Sequence, residues 1–240
     1  MGEVILSLRT VEKKFGGVEA LRGVEMDVMR GELFGLIGPN GAGKTVLMNV
    51  VSGIYPPDNG RVFLKNRDVT GYTSHLIARL GVARTFQIPK IFPDMSLLEN
   101  VLIPVYALNR ELRGEEGKRQ AFKALEFVGL HESSNLKAKN LSGGQKKLLE
   151  FARGIAMKAE LYLMDEPFAG VNPIIINRML GAVREVVKNG STAVVVSHEL
   201  GIVSRLCNRV AVLDRGLKIA EGPLREIAFL AEVKRAYLGG

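Results

Sequence analysis

Apolar and polar positions along the chain follow two different periods, which predicts strands and helices in turn. Several short strands are expected between Val4 and Phe34, where ILSL and ELFGLIG are apolar runs and VEALRGVEMDV alternates with a period of two. LYLMD and TAVVVS are two more apolar runs of the buried-strand type. Helical spacing follows Gly43 and recurs from Pro173 to Lys188. Strands that alternate with helices predict an α/β fold with a mostly parallel sheet.

A helical stretch interrupts this alternation in the middle of the chain. Between Ser96 and Leu130 apolar residues recur every three or four positions, while Arg110 to Gln120 is mostly charged and predicts a solvated helix end or a loop. The tail from Pro223 to Leu238 has the spacing of an amphipathic helix. We therefore expect one domain over residues 1–240, with a core formed by residues 1–89 and 151–222, a helical insertion over 90–150 and a C-terminal helix over 223–240.

Composition narrows the class of protein. A content of 47% hydrophobic and 24% charged residues excludes a wholly disordered chain. The single cysteine, Cys207, excludes a disulfide framework and favours a reducing compartment such as the cytoplasm. Lys and Arg number 33 against 25 Asp and Glu, and this net charge of +8 favours an anionic partner. The apolar stretches are too short for a secretory signal or a membrane helix, so we expect at most peripheral contact with a membrane.

A glycine-rich segment between an apolar run and a helical stretch matches the phosphate-loop pattern. Glycines allow backbone N–H groups to converge on phosphate oxygens, and a helix N-terminus adds partial positive charge. In this pattern Lys44 reaches the β- and γ-phosphates and the Thr45 hydroxyl ligates Mg²⁺. The alternative is a glycine-rich turn with an incidental lysine. The nucleotide-binding residues predicted here are Gly38, Pro39, Asn40, Gly41, Ala42, Gly43, Lys44 and Thr45.

An acidic pair ends the apolar run LYLMD, at the edge where a parallel sheet presents its ligands. Asp165 is predicted to hold Mg²⁺, usually through water. Glu166 is predicted to polarise the water that attacks the γ-phosphate, a role expected to contribute about 10²–10⁴ in rate. The alternative is that the two acids only cap the turn that begins at Pro167.

The pentapeptide Leu141-Ser142-Gly143-Gly144-Gln145 resembles the signature of ATP-binding-cassette (ABC) ATPases. Ser142 before a helical stretch also predicts a helix N-cap and a second anion site. The resemblance implies a P-loop NTPase fold with an N-terminal antiparallel β subdomain, the insertion being the signature subdomain, and ATP and Mg²⁺ as cofactors. It also implies that a second cassette, an identical or a sister chain, pairs head to tail, so that the signature of each closes on the ATP of the other.

Three further residues match the family in order and spacing. Gln87, in RTFQ, resembles the glutamine that senses Mg²⁺ and the attacking water, and is predicted as a metal and catalytic residue. His198, in VVSHE, resembles the switch histidine that contacts the γ-phosphate, and Phe15, in KKFGG, resembles the aromatic that stacks on adenine. Taken singly, the three could be a surface polar residue, a strand-end cap and an edge-strand packing residue.

Longer segments narrow the resemblance. ARLGVARTFQIPKIFPDMSLLENVLIP, DEPFAGVNP and AYLG resemble the ATPase subunits of branched-chain amino acid importers. Importers of urea and short amides, and the ATPase of lipopolysaccharide export, remain alternatives. The resemblance implies transmembrane permease subunits as partners and a peripheral position on the cytoplasmic face of the inner membrane. Two residues depart from the family: Asn172 replaces an aspartate of the dimer interface, and Val46 replaces a second hydroxyl residue after Thr45.

The segment from Ile88 to Leu98 is more apolar and richer in proline than a surface loop needs, so we expect it to receive a helix of the permease. Ordinary packing of the insertion is the alternative.

A cassette ATPase that acts on DNA or ribosomes is disfavoured, because the stretch between Lys44 and Leu141 lacks the long coiled coil of DNA-repair relatives and the chain carries one cassette. No nucleic acid partner is therefore expected. A small-molecule kinase or a GTPase with the same phosphate loop is also disfavoured, because neither class explains the presence of the LSGGQ motif.

Overall fold

Two sheets and a layer of helices form the fold, and the computed structural model describes residues 2–108, 112 and 114–238. The strands are β1 (Val4–Phe15), β2 (Val18–Met29), β3 (Leu33–Ile37), β4 (Asn59–Leu64), β5 (Arg67–Asp68), β6 (Val82–Thr85), β7 (Leu161–Asp165), β8 (Thr192–Val196), β9 (Arg209–Asp214) and β10 (Leu217–Gly222). The helices are α1 (Lys44–Val51), α2 (Ser74–Arg79), α3 (Leu97–Leu108), α4 (Glu115–Phe127), α5 (Gly143–Ala156), α6 (Pro173–Lys188), α7 (Leu200–Leu206), α8 (Leu224–Ile227) and α9 (Ala231–Leu238).

The N-terminal sheet is antiparallel, with strand order β2-β1-β4-β5. Strand β1 has 12 residues, so the prediction of only a short strand at ILSL was wrong. Its polar second half remains in the sheet because charged side chains find partners on neighbouring segments. Lys13 pairs with Asp58 and Lys14 pairs with Glu19, both at 2.7 Å.

The second sheet has the order β10-β9-β3-β8-β7-β6 and is parallel except for β10. All residues of β7 and β8 are buried, as their continuous apolar runs predict. Alternate residues of β3 face two separate cores. Leu36 packs with the antiparallel sheet and α1, whereas Ile37 packs with the helical layer. The predicted fold class, α/β with a mostly parallel sheet and an antiparallel β subdomain, is confirmed.

The helical layer contains α3, α4 and α5, which contact one another through buried Val101, Leu125 and Phe151. Helix α5 continues to Ala156, so the predicted end of the insertion at residue 150 falls inside a helix. Residues 115–120 form the exposed first half of α4, which agrees with a solvated helix end, while 109–111 and 113 lie outside the described residues. In the part of the chain that is described, every helix is too short or too polar to cross a lipid bilayer.

The C-terminal tail forms two short helices, α8 and α9, so the prediction of one helix over 223–240 was wrong. Ile227 and Val233 are both buried. In one straight helix they would point about 120° apart around the axis. The turn between the helices, in which the Leu230 N–H donates to the Ile227 carbonyl at 3.1 Å, lets both side chains reach the core. Residues 239 and 240 lie outside the described residues.

Candidate nucleotide site

The predicted phosphate loop connects β3 to α1, at the carboxyl edge of the parallel sheet. Its first glycine is fixed by contact with the neighbouring strand. A Cβ atom on Gly38 would lie 2.1 Å from the Leu213 carbonyl oxygen of β9. Because no side chain fits at that distance, the loop can lie directly against the strand only with glycine at this position.

Lys44 folds back over this loop from the first turn of α1. Its ammonium donates to the carbonyl oxygens of Gly38 and Pro39, at 2.7 and 2.8 Å. Burial lowers the pKa of Lys44, an effect opposed by the nearby carboxylates of Glu166 and Asp165. The lysine therefore lies between the loop and the acidic end of β7, as its predicted role requires.

Asp165 ends β7 and is held from two sides. Thr45 Oγ1 donates to its Oδ1 at 3.5 Å, and Arg84 donates to its Oδ2 at 3.2 Å. Arg84 also donates to Ser52 Oγ at 3.0 Å. Burial raises the pKa of Asp165, whereas Arg84, Thr45 and Lys44 oppose that rise, and burial lowers the pKa of Arg84 to about 10. The structure thus brings Thr45 and Asp165 together, as expected for residues that share a metal ion.

Sequence reasoning missed Arg84. It lies on β6, beside β7 in the sheet, and its side chain is only 7% exposed. A positive charge in a short strand between apolar residues is a signal in itself, because a buried charge is stable only when it is paired. The sequence VARTF contains this signal, but it does not reveal which acid is the partner.

Glu166 directly follows β7 and contacts His198, although the two residues are 32 positions apart in sequence. Its Oε1 lies 2.9 Å from His198 Nδ1, and its backbone N–H donates to the Val196 carbonyl at 3.0 Å. Oε2 is buried and has no hydrogen-bond partner among the described residues. One carboxylate oxygen is therefore held by the histidine and the other is left for a further ligand.

A cleft of about 830 Å³ joins several of the predicted site residues. The phosphate loop from Asn40 to Thr45, Gln87 and Glu166 all line it. Arg22 and Arg215 line the same cleft and were not predicted. Both carry positive charge, which suits a polyanionic ligand.

Phe15 is not among the residues that line this cleft. Its ring packs edge to face on Tyr55, with centroids 5.2 Å apart, and it remains 42% exposed. The hairpin that follows it, from Gly17 to Ala20, does line the cleft. The aromatic face thus lies next to the cleft rather than inside it, and its contact with adenine stays a prediction.

The signature residues lie at the N-terminus of α5, outside the cleft lining. Ser142 Oγ accepts from the Gln145 N–H at 3.3 Å, and Gln145 Oε1 accepts from the Ser142 N–H at 2.9 Å, which forms a capping box. A Cβ on Gly144 would lie 2.9 Å from Val171 Cγ1, so close packing explains this second glycine. Ser142 and Gly143 are exposed.

A second residue missed by sequence reasoning connects α5 to the segment around Gln87. Glu150 is buried, and its carboxylate accepts from the backbone N–H groups of Phe86 and Lys90, at 2.9 and 2.7 Å. Burial raises the pKa of Glu150, and these two hydrogen bonds oppose the rise. Both ends of the stretch that contains Gln87 are therefore attached to α5.

Asn172, which departs from the family pattern, has a local role at the start of α6. Its Oδ1 accepts from the Ile175 N–H at 3.0 Å and caps the helix. Val46, the second departure, packs against the core below the antiparallel sheet. Neither residue disturbs the contacts of Lys44 or Thr45.

A glycine loop that joins a parallel strand to a helix, with an acid at the end of another parallel strand, defines the class of P-loop nucleotide-binding proteins. A family model described as "ABC transporter" matches residues 21–169, which is more than half of the chain. The chain therefore belongs to the ABC transporter family, and it is an ATPase cassette of that family.

Relatives of similar length support the resemblance to the ATPase subunits of branched-chain amino acid importers. The chain is 40% identical to a probable branched-chain amino acid transport ATP-binding protein LivG of Archaeoglobus fulgidus, over 98% of this chain and 95% of the relative. It is 33% identical to the high-affinity LivG protein of Salmonella typhimurium, over 100% and 99% of the two chains. It is also 32% identical to the lipopolysaccharide export ATP-binding protein LptB of Acidithiobacillus ferridurans, over 98% and 97%.

Solved structures of ABC cassettes share the fold. The ADP conformation of an ATP-binding cassette of an ABC transporter superimposes with a TM-score of 0.89 at 35% identity, over 99% of each chain. A dimeric bacterial ABC transporter cassette superimposes with a TM-score of 0.85 at 26% identity, over 92% of this chain and 99% of the other. The predicted cassette fold is therefore confirmed, and nucleotide binding agrees with the ADP-bound neighbour.

Proposed function

We propose that this chain is the ATP-hydrolysing subunit of a membrane importer for branched-chain amino acids and works as one half of a head-to-tail pair of cassettes. One observation carries the pairing: the cleft contains the phosphate loop, Gln87 and Glu166, whereas the signature at the start of α5 does not line it. A second chain would supply that signature. The names of the LivG relatives support the substrate class.

In this proposal the phosphate loop and Lys44 bind the phosphates of ATP. The hydroxyl of Thr45, the carboxylate of Asp165 and the amide of Gln87 form a set of oxygen donors, which Mg²⁺ prefers. The 3.5 Å contact between Thr45 and Asp165 supports their acting on one ion. When bound, Mg²⁺ would offset the negative charge that develops during transfer.

Glu166 orients and polarises the attacking water in the proposed mechanism, while His198 holds the carboxylate and contacts the γ-phosphate. The Oε1 contact with His198 fixes the plane of the carboxylate, and Oε2 can accept a proton from water. The competing interpretation, a cap on the turn at Pro167, is disfavoured because the carboxylate bonds to His198.

The signature contributes from the partner chain. Ser142 and Gly143 are exposed at the N-terminus of α5, where a helix favours anions, and Gly144 and Gln145 complete the motif. Two ATP molecules would hold the two chains together, and loss of the γ-phosphate would release them. The differential contact between the ATP and ADP states gives the nucleotide control over dimerisation.

A permease surface is proposed on the segment from Ile88 to Leu98. Ile88 is 76% exposed and Phe92 is 43% exposed, which is unusual for two large apolar side chains in one short segment. Asn100 holds Phe92 in place, because its Oδ1 accepts from the Phe92 N–H at 2.8 Å. Docking of permease helices here would place the chain on the cytoplasmic face of the inner membrane.

Phe15 is proposed to stack on adenine, since its ring is partly exposed beside the hairpin that lines the cleft. Lipopolysaccharide export is the second candidate function, because the LptB relative covers nearly as much of the chain as the Salmonella LivG does, at nearly the same identity.

Transport into vesicles separates these functions. The chain would be reconstituted in proteoliposomes with whatever permease subunits and solute-binding protein its neighbouring genes encode, and uptake of labelled leucine, isoleucine, valine and urea would be measured with ATP inside. We expect ATP-dependent uptake of the three amino acids and none with Glu166→Gln. Uptake of urea alone would overturn the substrate assignment, and co-purification with a lipopolysaccharide export assembly would overturn import.

A further inference from the structure

Lys147 is a buried lysine of α5 that lies two positions after the signature. Its ammonium donates to the carbonyl oxygens of Glu166 and Ala169, both at 2.8 Å. The residue is 8% exposed, so its charge has been removed from water and directed at two backbone acceptors. These acceptors belong to the turn on which Glu166 lies. A signature helix and the proposed catalytic carboxylate of the same chain are therefore directly connected.

The turn that receives this lysine has an unusual backbone. Glu166 has a φ of 48°, in the left-handed region that residues with a side chain rarely adopt. Such a conformation persists only when its surroundings hold it. The N–H of Glu166 is held by the Val196 carbonyl at 3.0 Å, and the carbonyl of Glu166 is held by Lys147. Both peptide groups that flank this side chain are thereby fixed.

Three glutamates lie close enough to Lys147 to oppose the effect of its burial. Burial lowers the pKa of its ammonium, while Glu166, Glu150 and Glu199 favour the charged form. A lysine that only filled the core would be replaceable by methionine without effect on the carboxylate. Here one acceptor is the backbone carbonyl of Glu166 itself, and the other, the carbonyl of Ala169, belongs to the same turn.

We propose that Lys147 is a positioning residue for ATP hydrolysis, which acts through Glu166 by holding its left-handed backbone from the signature helix. This inference rests on the proposed role of Glu166. It adds a connection within one chain between the signature helix α5 and the carboxylate of Glu166. In the proposed pair of cassettes, α5 acts on the nucleotide of the partner chain, whereas Glu166 acts on the nucleotide bound by its own chain.

A double-mutant cycle tests the proposal. Lys147→Met keeps the length of the side chain and removes its donors, and the matched control is Lys123→Met on the exposed face of α4. We expect Lys147→Met to lower kcat by about 10- to 100-fold, less than the full general-base contribution of about 10²–10⁴ because Glu166 is still present, and to leave KM for ATP within about twofold. In a Glu166→Gln background the same substitution should change the residual kcat by less than about twofold, because interacting residues are not additive.

Each outcome decides one assignment. Unchanged hydrolysis in Glu166→Gln would overturn the proposed role of Glu166. Loss of hydrolysis in Glu166→Gln together with normal kcat in Lys147→Met would overturn only the role of Lys147. An equal drop in kcat in both backgrounds would mean a general loss of structure and would also overturn it. If Lys147→Met does not fold, the same cycle is run with Lys147→Leu, which also lacks a donor group, and the same criteria apply.

Discussion

Glu166 Oε1 and His198 Nδ1 lie 2.9 Å apart, and this contact joins the ends of two adjacent parallel strands. The acid directly follows β7 and the histidine lies two residues after the end of β8, so the pairing of these strands brings the two residues close together. The carboxylate is 10% exposed and the histidine 54%. One partner is thus anchored inside the protein while the other reaches the surface, where a nucleotide would arrive.

The first prediction concerns hydrolysis. Glu166→Gln should bind ATP and lower kcat by about 10²–10⁴-fold, because the amide keeps the shape but cannot take a proton. It should also accumulate as an ATP-dependent dimer. Phosphate release and size-exclusion chromatography measure these effects, and Glu185→Gln on the exposed face of α6 is the control. Wild-type turnover in the Glu166 variant would remove this residue from the mechanism.

Arg84 provides a prediction about stability. Arg84→Met leaves the buried carboxylate of Asp165 without its cationic partner, and the free energy of unfolding should fall by about 3–5 kcal/mol. Urea denaturation measures the change. Arg79→Met, on the exposed side of α2, should change the same quantity by less than about 0.5 kcal/mol. Equal effects of the two substitutions would show that the ion pair between Arg84 and Asp165 makes no particular contribution to the free energy of unfolding.

Glu150 gives a pH dependence with a defined sign. Burial raises its pKa in the folded state, so the folded protein binds more protons than the unfolded chain above the ordinary glutamate value of about 4.3. Its contribution to the free energy of unfolding therefore decreases as pH rises through that window. As pH rises from the ordinary pKa of glutamate to the raised pKa of Glu150, the free energy of unfolding of the wild-type protein should fall relative to that of Glu150→Gln. Urea unfolding at a series of pH values measures this difference. Glu126→Gln, on the exposed face of α4, should show no such trend, and a constant difference for Glu150→Gln would contradict the prediction.

Phe15 tests the proposed adenine contact. Phe15→Ala should weaken ATP binding by about tenfold, because one aromatic stacking contact with adenine would be lost. The kcat at saturating ATP should be unchanged. Phe122→Ala is a well-matched control, because Phe122 is 41% exposed and also packs edge to face, on His131. Calorimetric titration with ATP measures the difference. Affinity equal to that of the control would favour plain packing on Tyr55.

The proposed permease surface is tested by charge. Ile88→Glu should abolish co-sedimentation with membranes that contain the permease subunits, because a carboxylate would be buried in the interface, and it should leave basal ATP hydrolysis within about twofold. Phe229→Glu alters a side chain with similar exposure, 73% against 76%, outside this surface. Its membrane association should be normal. Normal association of the Ile88 variant would move the docking site elsewhere.

Much of the fold followed from periodicity. The runs LYLMD and TAVVVS predicted buried strands, and the structure confirms them because continuous apolar runs are stable only when both faces are covered. The length of β1 did not follow, because its second half is stabilised by ion pairs to Asp58 and Glu19, which no local pattern reveals. The break between α8 and α9 was missed for a similar reason, since it depends on which side chains reach the core.

Site residues that are adjacent in the sequence could be predicted. Those that come together only in the folded structure could not. The phosphate loop and the pair Asp165-Glu166 each lie in one segment, so spacing was enough to find them. Arg84, Lys147 and Glu150 act on other segments through long-range contacts. Their sequence signal is only a charge at a position that should be buried, and this identifies no partner.

Glu150 attaches α5 to both ends of the stretch from Phe86 to Lys90, and this has a mechanical consequence. A short peptide that is clamped at each end to one rigid rod has to travel with that rod. Any tilt of the helical layer against the parallel sheet therefore changes the separation between Gln87 and Asp165. We therefore expect the geometry around the nucleotide to depend on the orientation of the whole helical layer.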